Sequence, residues 1–243
     1  MKAMIKSLMA AQENEFKKIT PTLMEIKQTN SNIESSISFL AAQNEELKLK
    51  VDKLERENKK DKEYITLLEE KLEDMQRENR KTNIEIKNVP KTTKETNEDL
   101  INMVLSLSKT INCNLSKTDL RDVYRVKGRK EGINNTPIIV ETSSTMLKTA
   151  FLAKCKTFNI KNKEKLRVKH MGLTGNDDTP IYVSEQLTPK AARLFFIARE
   201  LTKSKAYRFC WTGYGRVYIR KTENSPVILI KNELQVQSLM QKD

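Results

Sequence analysis

The residues best suited to chemistry in this 243-residue chain are cations set beside aromatic rings near its C-terminal end. Two strands are expected around Gly213-Tyr214-Gly215. Alternation along the first puts Tyr207, Phe209 and Trp211 on one side, and along the second it does the same for Val217 and Ile219. With those sides inward, Arg208, Arg216, Tyr218 and Arg220 point outward, and Lys221 follows them. Guanidinium groups can track phosphates while a phenol ring offers a surface on which a base can stack. The competing reading is ordinary surface charge that keeps a strand soluble and blunts its edge. Two other basic stretches stand out. Arg125, Lys127, Arg129 and Lys130 lead into a Gly-containing loop. Lys161, Lys163, Lys165, Arg167 and Lys169 belong to a run from Lys154 to Lys169 that holds one acid, Glu164.

Catalytic chemistry finds little support. The single histidine, His170, lies in a basic stretch, and the chain has no Gly-rich phosphate loop and no Ser nucleophile motif. Cys113, Cys155 and Cys210 are isolated, with no metal-ligand spacing, so they read as packing thiols in a reducing compartment. No enzyme activity, metal or cofactor is expected. Met1 to Gln12 lacks the apolar stretch of a signal peptide, and no apolar run approaches the length of a membrane span. The expected location is the cytoplasm or the nucleus.

Charge says more. Of 45 basic and 32 acidic residues, residues 1–82 hold 16 of each, so the whole excess of +13 lies in residues 83–243. A small folded region this basic points to a polyanion, nucleic acid first and an anionic membrane surface second.

The elements that must position these residues begin with a heptad repeat. With Ile19 at d, the register holds from Ile5 to Asn79, and 16 of the 22 a and d positions are apolar. Four of the other six are Asn30, Asn44, Asn58 and Asn79, all at a. Such a seam predicts a left-handed coiled coil. Asn at a with Leu at d favours a parallel homodimer, while Ile19, Ile26 and Ile33 at d lean toward a homotrimer. A basic-zipper reading fails, because no basic helix precedes the seam. Thr20-Pro21 reads as a cap with Pro at the first helical position, so a kink or a fresh start is expected there.

At Thr82 the period changes from seven to two. Strands around 83–89, 123–126, 137–141 and 181–183, with helices from Asn97 and Thr145 between them, give the β-α-β-β-α-β order of a ferredoxin-like domain. Thr188-Pro189 opens a further helix, followed by the hairpin, the strand 226–230 and a last helix capped by Asn232. The predicted architecture is a long parallel coiled coil (1–81), an RRM-like α+β domain (82–186) and a small C-terminal α+β domain (187–243).

Particular stretches carry a resemblance. Asn83 to Pro90, Val123 to Val126 and Thr136 to Val140 resemble the few-polyhedra (FP) protein family of baculoviruses. They are equally similar to the first-open-reading-frame proteins of LINE-type retrotransposons in insects. Ile181 to Pro189, Tyr207 to Thr212 and Arg216 to Lys221 carry the resemblance through the second half. It implies a coiled-coil homo-oligomer whose α+β domains bind single-stranded RNA or DNA, with chaperone-like remodelling in the retrotransposon relatives. For the viral family it implies an accessory factor in occlusion and virion-protein traffic, with viral envelope or structural proteins as partners. One departure stands out: the expected central strands, 84–89 and 137–141, lack the aromatics on which an RRM stacks bases. Two functions therefore stay open. One is an oligomeric, weakly sequence-specific binder of single strands. The other is an adaptor whose basic surface meets acidic proteins or membranes.

Overall fold

The computed structural model describes residues 2–92, 94–126, 135–173, 178–203 and 207–241. Helix α1 (Lys2–Asn79) has no buried residue, and its apolar a and d side chains, Ile5 through Met75, remain 45–65% exposed. It runs straight through Pro21. Thr20 does not cap a new helix there, since its hydroxyl donates to the Phe16 carbonyl four residues back at 2.8 Å. Pro21 falls on the outer side of the heptad, so the carbonyl left without its N–H partner is one that water can reach. Compact units divide at Leu68, which groups the last turns of α1 with the α+β region that follows.

That region holds two sheets. The first is antiparallel, in the order β2-β3-β1-β4, from β1 (Asn83–Lys87), β2 (Leu120–Arg125), β3 (Ile138–Thr142) and β4 (Tyr182–Glu185). Helices α2 (Asn97–Thr110) and α3 (Thr145–Lys161) intervene after β1 and β3. Alternation explains the core. Ile84, Ile86, Val123, Ile138 and Val140 face Leu100, Val104, Leu107, Phe151 and Cys155 in one cluster. Burial pushes the Cys155 thiol up to about 12, as suits a packing residue. Helix α2 starts on a capping box, in which Thr96 Oγ1 accepts from the Asp99 N–H and the Thr96 N–H donates back to Asp99 Oδ2.

The second sheet is a meander of β5 (Phe209–Gly213), β6 (Arg216–Arg220) and β7 (Ile228–Ile230). Helices α4 (Pro189–Lys203) and α5 (Glu233–Gln241) cover one face, closing a core of Leu194, Ala198, Leu201, Tyr207, Val217, Ile219, Ile230 and Val236. The predicted caps hold: Thr188 Oγ1 accepts from the Ala191 N–H at 3.0 Å and Asn232 Oδ1 from the Gln235 N–H at 2.8 Å. Among the described residues no helix is long and apolar enough to cross a membrane.

Candidate nucleic-acid interface

The hairpin turns on two residues, Tyr214 (φ 53°) and Gly215 (φ 72°), both in the left-handed region that tight two-residue turns require. That turn fixes the register: Gly213 opposes Arg216, Thr212 opposes Val217, Trp211 opposes Tyr218, Cys210 opposes Ile219 and Phe209 opposes Arg220. Directly opposed residues share a face. Val217 and Ile219 are core, so Thr212 and Cys210 lie on the inner side with them. Trp211 and Phe209 therefore lie on the outer side with Arg216, Tyr218 and Arg220.

This corrects the inward placement of Phe209 and Trp211. Trp211 is 38% exposed, and its ring stacks on Tyr218 with centroids 5.8 Å apart and planes at 21°. Tyr207 is buried as expected, but it sits before the strand, where its N–H bonds the Leu201 carbonyl at 3.2 Å rather than β6. Alternation carried forward from Tyr207 is thus one residue out of step, and a slip of one reverses every side chain. The turn held the missing signal. A two-residue loop at Tyr214-Gly215 makes Trp211 and Tyr218 face the same way, whatever Tyr207 does.

The outer face reads, in sheet order, as a row of Trp211, Tyr218 and Leu229 between Arg216 on one side and Phe209 with Arg220 on the other. Arg216 is exposed, while Arg220 is half-buried and its Nε donates to the Ser225 carbonyl at 2.7 Å. Arg208 is exposed over the Phe209 ring at 5.3 Å and lies 3.5 Å from Glu223. Lys221 places its ammonium 5.9 Å from the centre of the Tyr207 ring.

The turn itself is held from two directions. The Gly215 N–H donates to Glu185 Oε2 at 3.1 Å, and that carboxylate lies 3.3 Å from Lys148 Nζ in a buried pair. Lys148 also donates to the Lys81 carbonyl at 3.0 Å, just past the end of α1. On the other side, Arg77 of α1 packs against Gly215 so closely that a Cβ there would lie 2.7 Å from Arg77 Cγ. Thr188 Oγ1 donates to Glu73 Oε1 at 2.5 Å. A groove of about 320 Å³ runs beside Arg216, with Glu70, Glu73 and Asp74 on its helical wall and Lys190 and Lys231 among the residues opposite.

The other predicted site residues are placed differently. Arg125 is turned into the fold rather than out to solvent. Its side chain is 7% exposed, pairs with Glu95 (4% exposed) through Nε at 2.6 Å and Nη2 at 2.7 Å, and donates to the Val89 and Thr136 carbonyls. Its fork of donors is saturated within the fold. Lys127, Arg129 and Lys130 lie outside the described residues. In the second basic run, Leu166, Val168 and Met171 are buried in the first core, so the run is tacked down rather than a solvated loop. Lys161, Lys163 and Lys165 are exposed, Lys169 pairs with Glu164 at 2.6 Å, and Arg167 bonds the Asp178 carbonyl at 2.7 Å. His170 is half-buried rather than solvated. Its Nδ1 accepts from the Arg167 N–H at 2.9 Å, and burial holds its pKa below the usual imidazole value. Asn30, Asn44, Asn58 and Asn79 are exposed along α1.

The face of the first sheet away from its helices carries rings only on its edge strands, Tyr124 on β2 and Tyr182 on β4. On its central strands that face carries Glu85, buried Ile139 and Glu141, and no ring. On the second sheet, by contrast, Trp211 and Tyr218 stack on each other on the face away from the helices.

Residues 188–240 match the family model described as Baculovirus FP protein domain 2. This segment is similar to that domain. The matched segment, called the FP domain below for its similarity, runs from the Thr188 cap of α4 almost to the end of α5, and it contains the whole three-stranded sheet and its outer face. No curated protein matches the chain.

Proposed function

We propose that the protein is a homo-oligomeric binder of single-stranded nucleic acid, RNA in the first instance, acting through charge with weak sequence preference and without catalysis. The observation that carries this reading is the outer face of the FP domain, where exposed Arg216 and half-buried Arg220 flank Tyr218 on β6. Support comes from the location of the entire +13 excess in residues 83–243. The β2-β3-β1-β4 unit takes the RRM-like part of the reading, with no ring on the outer face of its two central strands. Helix α1 would pair in parallel with a second copy along its exposed seam, a dimer favoured by the Asn residues at a. Cytoplasm or nucleus is the proposed place of action.

The test uses the full chain and a single-stranded RNA at several salt concentrations. Binding should weaken with salt at a log–log slope of about −0.7 per phosphate neutralised. Arg216→Glu should weaken it at least about tenfold and flatten the slope, with circular dichroism and sedimentation unchanged, because the side chain is exposed. Salt-independent binding, or an Arg216→Glu variant that binds like the parent, would overturn the proposal.

A further inference from the structure

We infer that Trp211 and Tyr218 form a stacking platform for unpaired bases, so that the FP domain takes single strands through their bases as well as their phosphates. This rests on the nucleic-acid reading above and adds to it a requirement on the ligand. An exposed Trp on a strand needs a reason. The core beneath the sheet is closed by Val217, Ile219, Ile230, Leu194, Leu201 and Val236 without it. Trp211 and Tyr218 are direct cross-strand partners with nearly parallel rings. They present one broad aromatic surface rather than two separate contacts. Leu229, the partner of Tyr218 on β7, continues the row.

Charge surrounds this surface in the pattern a strand of nucleic acid requires. Arg216 and Arg220 lie two residues to either side of Tyr218 along β6, their Cα atoms about 13 Å apart at the usual rise of a strand. The rings sit between them. A base laid on the rings would leave its neighbouring phosphates toward the guanidinium groups. Stacking is open to any base, since each has a π-face, so the platform confers little sequence preference. It does discriminate by strandedness, because the base faces of a duplex are covered by their neighbours.

Trp211 is the chain's one tryptophan, so emission excited selectively at tryptophan, beyond the absorption of the six tyrosines, reports on this site alone in the unmodified protein. Four probes would be titrated into the full chain: an oligo-dT strand, a base-free deoxyribose-phosphate oligomer of equal length, a duplex, and vesicles rich in anionic lipid. Oligo-dT should quench Trp211. The base-free oligomer and the duplex should leave its emission unquenched, even where they bind. Trp211→Ala should weaken oligo-dT by about tenfold or more while leaving affinity for the base-free oligomer unchanged, and Trp211→Phe should restore most of the loss. Equal affinity for oligo-dT and the base-free oligomer, with no quenching, would reduce the pair to a cross-strand contact that braces the sheet and would leave the electrostatic reading standing. Failure of every nucleic-acid probe to bind would remove that reading and this inference together. Changes in Trp211 emission with vesicles alone would make the face a membrane contact and overturn both.

Discussion

Arg125 marks the distance between a residue's type and its use. It precedes a basic loop and reads from the sequence as a phosphate contact, yet its donors close on Glu95 and on the carbonyls of Val89 and Thr136. Arg125→Met should cost about 3–5 kcal/mol, because it leaves the Glu95 carboxylate buried without its counter-charge. Denaturant melts would read that loss, while nucleic-acid affinity measured on the folded fraction should not move. The cation was legible in the sequence, but its burial was not. That depends on Glu95, 30 residues earlier, being carried to the end of β2 by the segment before α2. Trp211 shows the converse, since a large apolar ring reads as core from the sequence and lies 38% exposed on the outer face.

At the level of elements, residues that satisfy the backbone locally could be read in advance. The caps at Thr188 and Asn232 need only a side chain and an N–H two or three residues on, and each is found where the sequence places it. Strand faces were less legible, because they depend on where pairing starts. In β2 the register shifts between Leu120 and Asp122, and the strand begins at Leu120, three residues before the alternation suggests. In β5 the irregular step after Tyr207 reversed the face. The turn between β5 and β6 supplies a test of how firmly that hairpin is held. Gly215→Ala faces both a left-handed backbone and a collision with Arg77, and the backbone part alone should cost about 1–2 kcal/mol. Removing the collision partner with Arg77→Ala should make the second substitution less damaging. A four-protein denaturation cycle should then show a coupling of about 0.5–3 kcal/mol. Additive losses would mean that Arg77 simply moves aside.

For the molecule as a whole, the heptad was the most legible feature of the chain, because a period of seven over 75 residues needs no tertiary information. The structure shows the corresponding helix with every one of its 16 apolar seam side chains uncovered on a single chain. Replacing Asn44 and Asn58 with Ile should raise the melting temperature and shift the population toward higher oligomers, since buried amides at a hold the state at some cost in stability. Sedimentation equilibrium and thermal melts would check both, and a monomeric parent at micromolar concentration would refute the seam.

The last turns of α1 serve two masters on opposite sides. Leu72, Met75 and Asn79 continue the seam and stay exposed, while Glu73 and Arg77, on the far side of the same turns, hold Thr188 and Gly215. Within these turns the two faces therefore keep a fixed angle about the helix axis. A residue added or lost within these turns would rotate one face against the other by about 100° around the helix axis.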